Sequence, residues 1–190
     1  KLIMDKKNLT TEETFALAVQ NQQKNNLQIA ENLYRKTLKA NPNHVDAHNN
    51  LGIIFKESGE LQKAVDCYQK VIQIQPEDAY AYYNLGLVFK ELGELQKAVD
   101  CFQKVIQIQP DRVEDAHVGL GNVLKKLGEY QKAKSCYQKA IQIQPNYVDA
   151  HNNLGIVFNE LGEDQKAISS FQKAIQIAPN KVNAYNGLGN

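Results

Sequence analysis

The stretch Ala47–Pro76, AHNNLGIIFKESGELQKAVDCYQKVIQIQP, decides the fold. Its first half places Ala47, Leu51, Ile54, Phe55 and Ser58 at helical spacing, with His48 and Gly52 alongside, while Asn49, Asn50, Lys56 and Glu57 fall elsewhere. Gly59 ends this helix A. The second half puts Leu61, Ala64, Val65, Tyr68, Val71 and Ile72 on one stripe, which is helix B. Pro76 stops it, because proline lacks the amide donor and clashes with the preceding turn.

The phrase recurs. Pro42, Pro76, Pro110, Pro145 and Pro179 close near-copies of it at intervals of 34, 34, 35 and 34 residues, a period that predicts one helix pair stacked into an array. The units are expected at 11–44, 45–78, 79–112, 114–147 and 148–181, after an extension over 1–10 and before the start of a sixth at 182–190. Small residues at fixed places, Gly52, Gly86, Gly121 and Gly155 in helix A with Ala64, Ala98, Ala133 and Ala167 in helix B, suit axes that cross closely. Lys1 in place of a starting methionine, and an ending inside a helix A, point to a piece of a longer protein.

The spacing of Leu51, Gly52, Phe55, Ala64, Tyr68 and Pro76 resembles the tetratricopeptide repeat. In style the phrase is most similar to the repeats of O-linked N-acetylglucosamine transferase and of similar bacterial arrays. The resemblance implies an all-α, right-handed superhelical solenoid of antiparallel helix pairs that binds a protein or extended peptide and catalyses nothing. It also leaves open the recognition arm of a larger transferase, or a scaffold that forms homo-oligomers through its terminal repeats. Repeat 1 is the poorest copy, with Thr14 for the usual bulky residue and Asn25 for the usual glycine.

Composition narrows the function. With 22 basic and 21 acidic residues, no tryptophan and 43% hydrophobic content, the chain has neither the charge of a nucleic-acid binder nor the composition of a disordered one. No apolar run approaches the roughly eighteen residues of a membrane span, and the leader KLIMDKKNLT lacks a signal peptide's apolar stretch. A cytoplasmic location without membrane contact is expected. Cys67, Cys101 and Cys136 each precede the helix-B aromatic, so stacking holds them about 8–10 Å apart, too far for a disulfide. His48, His117 and His151 share the fourth position of helix A, where a packing ring is expected. No catalytic residue, metal site or cofactor is expected.

What remains is the groove-facing side of helix A, which in the tetratricopeptide family uses the second, fifth, sixth, ninth, twelfth and thirteenth positions. From these the partner-binding candidates are Asn49, Asn50, Ile53, Lys56, Tyr80, Tyr83, Asn84, Leu87, Lys90, Asn122, Lys125, Asn152, Asn153, Ile156 and Asn159. Asparagine is a mediocre helix former, so its recurrence suggests a carboxamide row that bonds a peptide main chain. Asn50, Asn84 and Asn153 match the asparagine ladder of the transferase-type repeats, and Gly119 and Gly187 interrupt it. Ile53, Leu87 and Ile156 would form an apolar strip, and Lys56, Lys90 and Lys125 a cationic rim that favours an acidic ligand. Lysine and arginine are absent from the second, fifth and sixth positions of repeats 2 to 5, which argues against capture of chaperone C-termini. The extra residue in DRVED after Pro110 is expected to bulge over 112–114 and leave the next helix A facing as usual.

Overall fold

The computed structural model describes residues 9–110 and 113–180. Over these the chain is all-α, with ten helices and no strand. Two compact units divide it, one reaching to Ala81 and the other beginning at Tyr82. The first holds α1 (Thr11–Gln23), α2 (Leu27–Ala40), α3 (Val45–Glu57) and α4 (Leu61–Ile74). Helix α5 (Ala79–Leu92) begins in the first unit and lies mainly in the second. There it is followed by α6 (Leu95–Ile108), α7 (Glu114–Lys126), α8 (Tyr130–Ile143), α9 (Val148–Glu160) and α10 (Asp164–Ile177).

Short connections make sequential helices antiparallel neighbours. In the first unit α1 packs on α2, α2 on α3 and α3 on α4. In the second, α7 packs on both α6 and α8, and α9 on both α8 and α10, while α7 also touches α9. Each even-numbered helix ends two residues before its proline, at Ala40, Ile74, Ile108, Ile143 and Ile177.

Each pair is clasped around one aromatic ring of its second helix. Tyr34, Tyr68, Phe102 and Tyr137 have no exposed surface and Phe171 only 1%. A Cβ on Gly52 would stand 2.6 Å from the Tyr68 ring, and one on Gly155 2.6 Å from Phe171. The helix-A glycines therefore make room for the aromatic, and the fully buried alanines Ala64, Ala98, Ala133 and Ala167 are not what they face. Above the other helix-A ring sit lysines: Lys63 over Phe55 at 5.3 Å, Lys97 over Phe89 at 5.2 Å and Lys166 over Phe158 at 5.7 Å. The same lysines pair with Glu60, Glu94 and Glu163 three residues earlier.

The turns inside the pairs need left-handed backbone. Gly59, Gly93, Gly128 and Gly162 adopt φ between +71° and +78°, and Asn25 takes the same place in the first pair at φ 61°. Asparagine tolerates this conformation where a Cβ-bearing residue without a short polar side chain does not. Asn25→Gly is expected to be neutral or stabilising and Asn25→Ala to lose about 1 kcal/mol, read by urea unfolding.

The extra residue after Pro110 leaves the facing of α7 unchanged. Val113, just before α7, is 5% exposed, and Leu120 and Leu124 are each 6% exposed, so the helix keeps its apolar stripe inward. Arg112 and the start of the sixth repeat lie outside the described residues.

Candidate functional site

In the first unit the face is set by a hydrogen-bond chain that begins in the core. Tyr34 of α2 donates its hydroxyl to Gln22 Oε1 of α1 at 2.6 Å and accepts from Asn50 Nδ2 of α3 at 3.0 Å. A phenol has one proton, so the direction of the chain is fixed and with it the orientation of the Asn50 carboxamide. Ile53 and Lys56 lie beside it, half-buried, and Tyr80 is 52% exposed. Asn49 is instead only 8% exposed, with its Oδ1 shut off from solvent and lacking a hydrogen-bond partner. It faces inward and is not a surface acceptor.

In the second unit α5, α7 and α9 carry the remaining candidates. Tyr83, Leu87, Lys90, Asn122, Lys125, Asn152, Asn153 and Ile156 are half-buried and Asn159 is exposed. Asn84 is buried, at 6% exposure, contrary to the expectation of an open ladder. Asn152 Oδ1 is shut off like that of Asn49. Two carboxamides are tied internally: Tyr137 donates to Asn122 Oδ1 at 2.8 Å, Lys125 Nζ donates to Asn153 Oδ1 at 2.7 Å, and Asn153 Nδ2 donates to the Asp149 carbonyl at 2.8 Å. Burial lowers the Lys125 pKa, with Glu160 opposing. Lys125 thus holds Asn153 in place. Tyr83 meets Phe102 edge-on at 5.8 Å, and Tyr147 donates to Asp115.

The glycine that breaks the asparagine row has a packing cause. A Cβ on Gly119 would lie 2.7 Å from the Phe102 ring. Across the chain the sixth position of helix A is asparagine when the preceding helix-B aromatic is tyrosine, as in Tyr34 and Asn50, Tyr68 and Asn84, Tyr137 and Asn153. It is glycine when that aromatic is phenylalanine, as in Phe102 and Gly119, Phe171 and Gly187. Of these three phenols Tyr34 bonds its asparagine, whereas the Tyr68 hydroxyl is buried without a hydrogen-bond partner and Tyr137 donates to Asn122. Helix A taken by itself gives no sign of the helix-B phenols, although the pairing is visible once both helices are aligned.

The cysteines and histidines serve packing. Cys67, Cys101 and Cys136 are free thiols, and burial pushes the first two up to about 12 and the third to about 11. His48 Nε2 bonds the Pro42 carbonyl at 2.9 Å and His151 Nε2 the Pro145 carbonyl at 2.8 Å, so each ring staples helix A to the turn before it. Burial lowers the pKa of His48 and of His117. Among the described residues no group of three or more His, Cys, Asp or Glu is arranged to hold a metal ion.

The buried thiols imply alkaline lability. An unfolded thiol ionises near 9, whereas the folded ones stay protonated until about 11 or 12, so the folded state binds more protons in between. Stability should be full below pH 9 and fall as pH rises from there toward 12. Urea midpoints measured across that range check the sign, and replacing Cys67 and Cys101 with serine, the residue that repeat 5 carries there as Ser170, should flatten the decline.

Antiparallel helix pairs with a polar and apolar helix-A face define a helical-repeat interaction module. The chain belongs to the tetratricopeptide repeat family: one TPR repeat model matches residues 53–93 and 121–162, and two tetratricopeptide repeat models match 79–112 with 148–181 and 33–66. Among solved structures it is similar to MamA, at 30% identity and TM-score 0.81, over 87% of this chain and 96% of that one. It is similar in fold to YrrB, described as a TPR protein with an unusual peptide-binding site, at 22% identity and TM-score 0.80, over 95% and 93%. Pseudomonas aeruginosa pilF matches at 20% identity and TM-score 0.79, over 93% and 80%. Among curated protein sequences none matches. No helix among the described residues is long and apolar enough to cross a membrane.

Proposed function

We propose that the helix-A faces bind an extended peptide or a protein segment. The observation that carries this reading is the Asn50 carboxamide, fixed from behind by Tyr34 and Gln22 and flanked by half-buried Ile53. A group oriented before binding loses little freedom on binding, and a carboxamide that still has Oδ1 and one N–H to offer can pair with a peptide main chain whatever its side chains. In the second unit Asn122, whose Oδ1 accepts from Tyr137, has its amide N–H groups to offer, at the repeat position that half-buried Leu87 and Ile156 hold in their own helices. Membership of a family of interaction modules supports the reading, as does the peptide-binding site of YrrB. Three reduced thiols suit work in the cytoplasm.

Selection of a random peptide library on the chain tests it. Peptides so obtained should lose about tenfold or more in affinity to Ile53→Glu or Ile156→Glu, the loss expected when one apolar contact is removed. Helix content and the unfolding midpoint should stay as they are. Selected peptides that bind both variants as well as the parent would refute the reading.

A further inference from the structure

Behind the helix-A face of the first unit, α2 and α4 leave a cleft of about 410 Å³ floored by α3. Half-buried Leu38 of α2 is the apolar side chain the cleft leaves open, above Leu51 and Phe55 of α3 that are each 3% exposed, and Arg35, Lys39 and Lys70 stand around it against one lining carboxylate, Asp66. The α3 residues involved, His48, Leu51 and Phe55, form a different stripe from Asn50, Ile53 and Lys56, so this surface is separate from the helix-A face. A cleft at the corresponding repeat positions occurs in the second unit between α8 and α10 over α9, with a volume of about 660 Å³. Its rim includes Gln138, Gln172, Gln176 and Lys173.

The two rims differ at Asp66, where the second cleft has Ser169, and at two positions that the first repeat alone makes basic. Arg35 stands where the other repeats have Gln69, Gln103, Gln138 and Gln172, and Lys39 where they have Gln73, Gln107, Gln142 and Gln176. Lying four apart on α2, both point the same way, into the cleft rim. Glu31 holds Arg35 Nε at 2.9 Å, and the guanidinium lies 5.4 Å from the centre of the Phe55 ring. Arg35 is thereby held over the apolar floor with its remaining N–H donors still to be used. Asp66 accepts from Gln62 at 3.3 Å. Three cations against Asp66 and Glu31 leave the rim net positive.

We propose that this cleft is a second docking surface, for an acidic peptide segment that sets its carboxylates on Arg35, Lys39 and Lys70 and lays an apolar side chain against Leu38 and the methylene stems of those cations. Leu38 and the methylene stems give a small inorganic anion nothing, whereas a peptide with acidic residues around a leucine or phenylalanine uses both them and the charges.

The test uses the full chain and a fluorescein-labelled peptide Glu-Asp-Leu-Phe-Glu-Asp, followed by fluorescence anisotropy. The double variant Arg35→Gln with Lys39→Gln installs residues that the other repeats already carry and so keeps the fold. It should lose about tenfold or more in affinity, and binding to the parent should weaken as salt is raised. The reciprocal variant Gln138→Arg with Gln142→Lys should gain affinity in the second cleft. Absence of measurable binding to the parent, or equal binding by parent and double variant, overturns the proposal. So does displacement of the probe by inorganic phosphate at matched charge, which would mark a plain anion site. Binding of phosphatidylserine vesicles without binding of the peptide would point to a membrane and overturn it too. Ile53→Glu and Ile156→Glu report on the helix-A face separately, so the two readings fail independently.

Discussion

Phe102→Ala is expected to destabilise the second unit by about 3–5 kcal/mol, the cost of deleting a fully buried aromatic from a site that cannot collapse. The ring has no exposed surface and fills the space that side chains on Gly86 and Gly119 would need, the nearest approaches being 3.1 and 2.7 Å. Glycines cannot move side chains into the hole, and Tyr83 already lies edge-on against the ring at 5.8 Å. Phe89, 6% exposed, should behave similarly. Lys97→Ala is the control. It removes a cation 5.2 Å from the Phe89 ring centre and an exposed pair with Glu94, worth about 0.5–1 kcal/mol together. Thermal or urea unfolding of the variants reads the difference, and similar losses from Phe102→Ala and Lys97→Ala would mean that the ring is not the centre of the pair.

Gly155→Val should cost about 2–3 kcal/mol through overpacking. The new Cβ would stand 2.6 Å from Phe171, a ring 1% exposed and closed in on its other sides. Helix propensity favours almost any residue over glycine, so destabilisation at this position would show that contact outweighs the backbone term. Combining the change with Phe171→Leu, which shortens the facing side chain, should recover part of the loss. Gly162→Ala is a contrast: nothing lies within 4 Å of its Cβ position, and its φ of +71° makes the cost one of backbone conformation alone.

The helices were legible because each is short, strongly periodic and punctuated by Gly59-type turns and Pro76-type stops, signals that act locally. The partners of the small residues were less legible. Periodicity buries Gly52 and Ala64, but it is the packing of the pair that sets Gly52 against the Tyr68 ring. The candidate face was legible as a set of positions and not as a set of exposures. Asn50 and Asn49 are adjacent, yet one bonds Tyr34 at a half-buried edge and the other turns inward with its Oδ1 unpartnered. A helix turns about 100° per residue, so neighbours on one wheel face different helices. On the B helices Asp66 and Asp100 accept from Gln62 and Gln96, and ion pairs form at the helix starts, between Glu60 and Lys63 and between Glu94 and Lys97. There the unsatisfied amide ends favour a carboxylate.

The most direct test of peptide binding by the helix-A faces is a backbone amide NMR titration of the chain with a peptide selected on it. The account predicts shifts centred on Asn50, Ile53 and Lys56 of α3, or on Leu87, Asn122, Lys125, Asn153 and Ile156 of α5, α7 and α9. Shifts confined to α2, α4, α6, α8 and α10, with those residues unmoved at saturation, would contradict it.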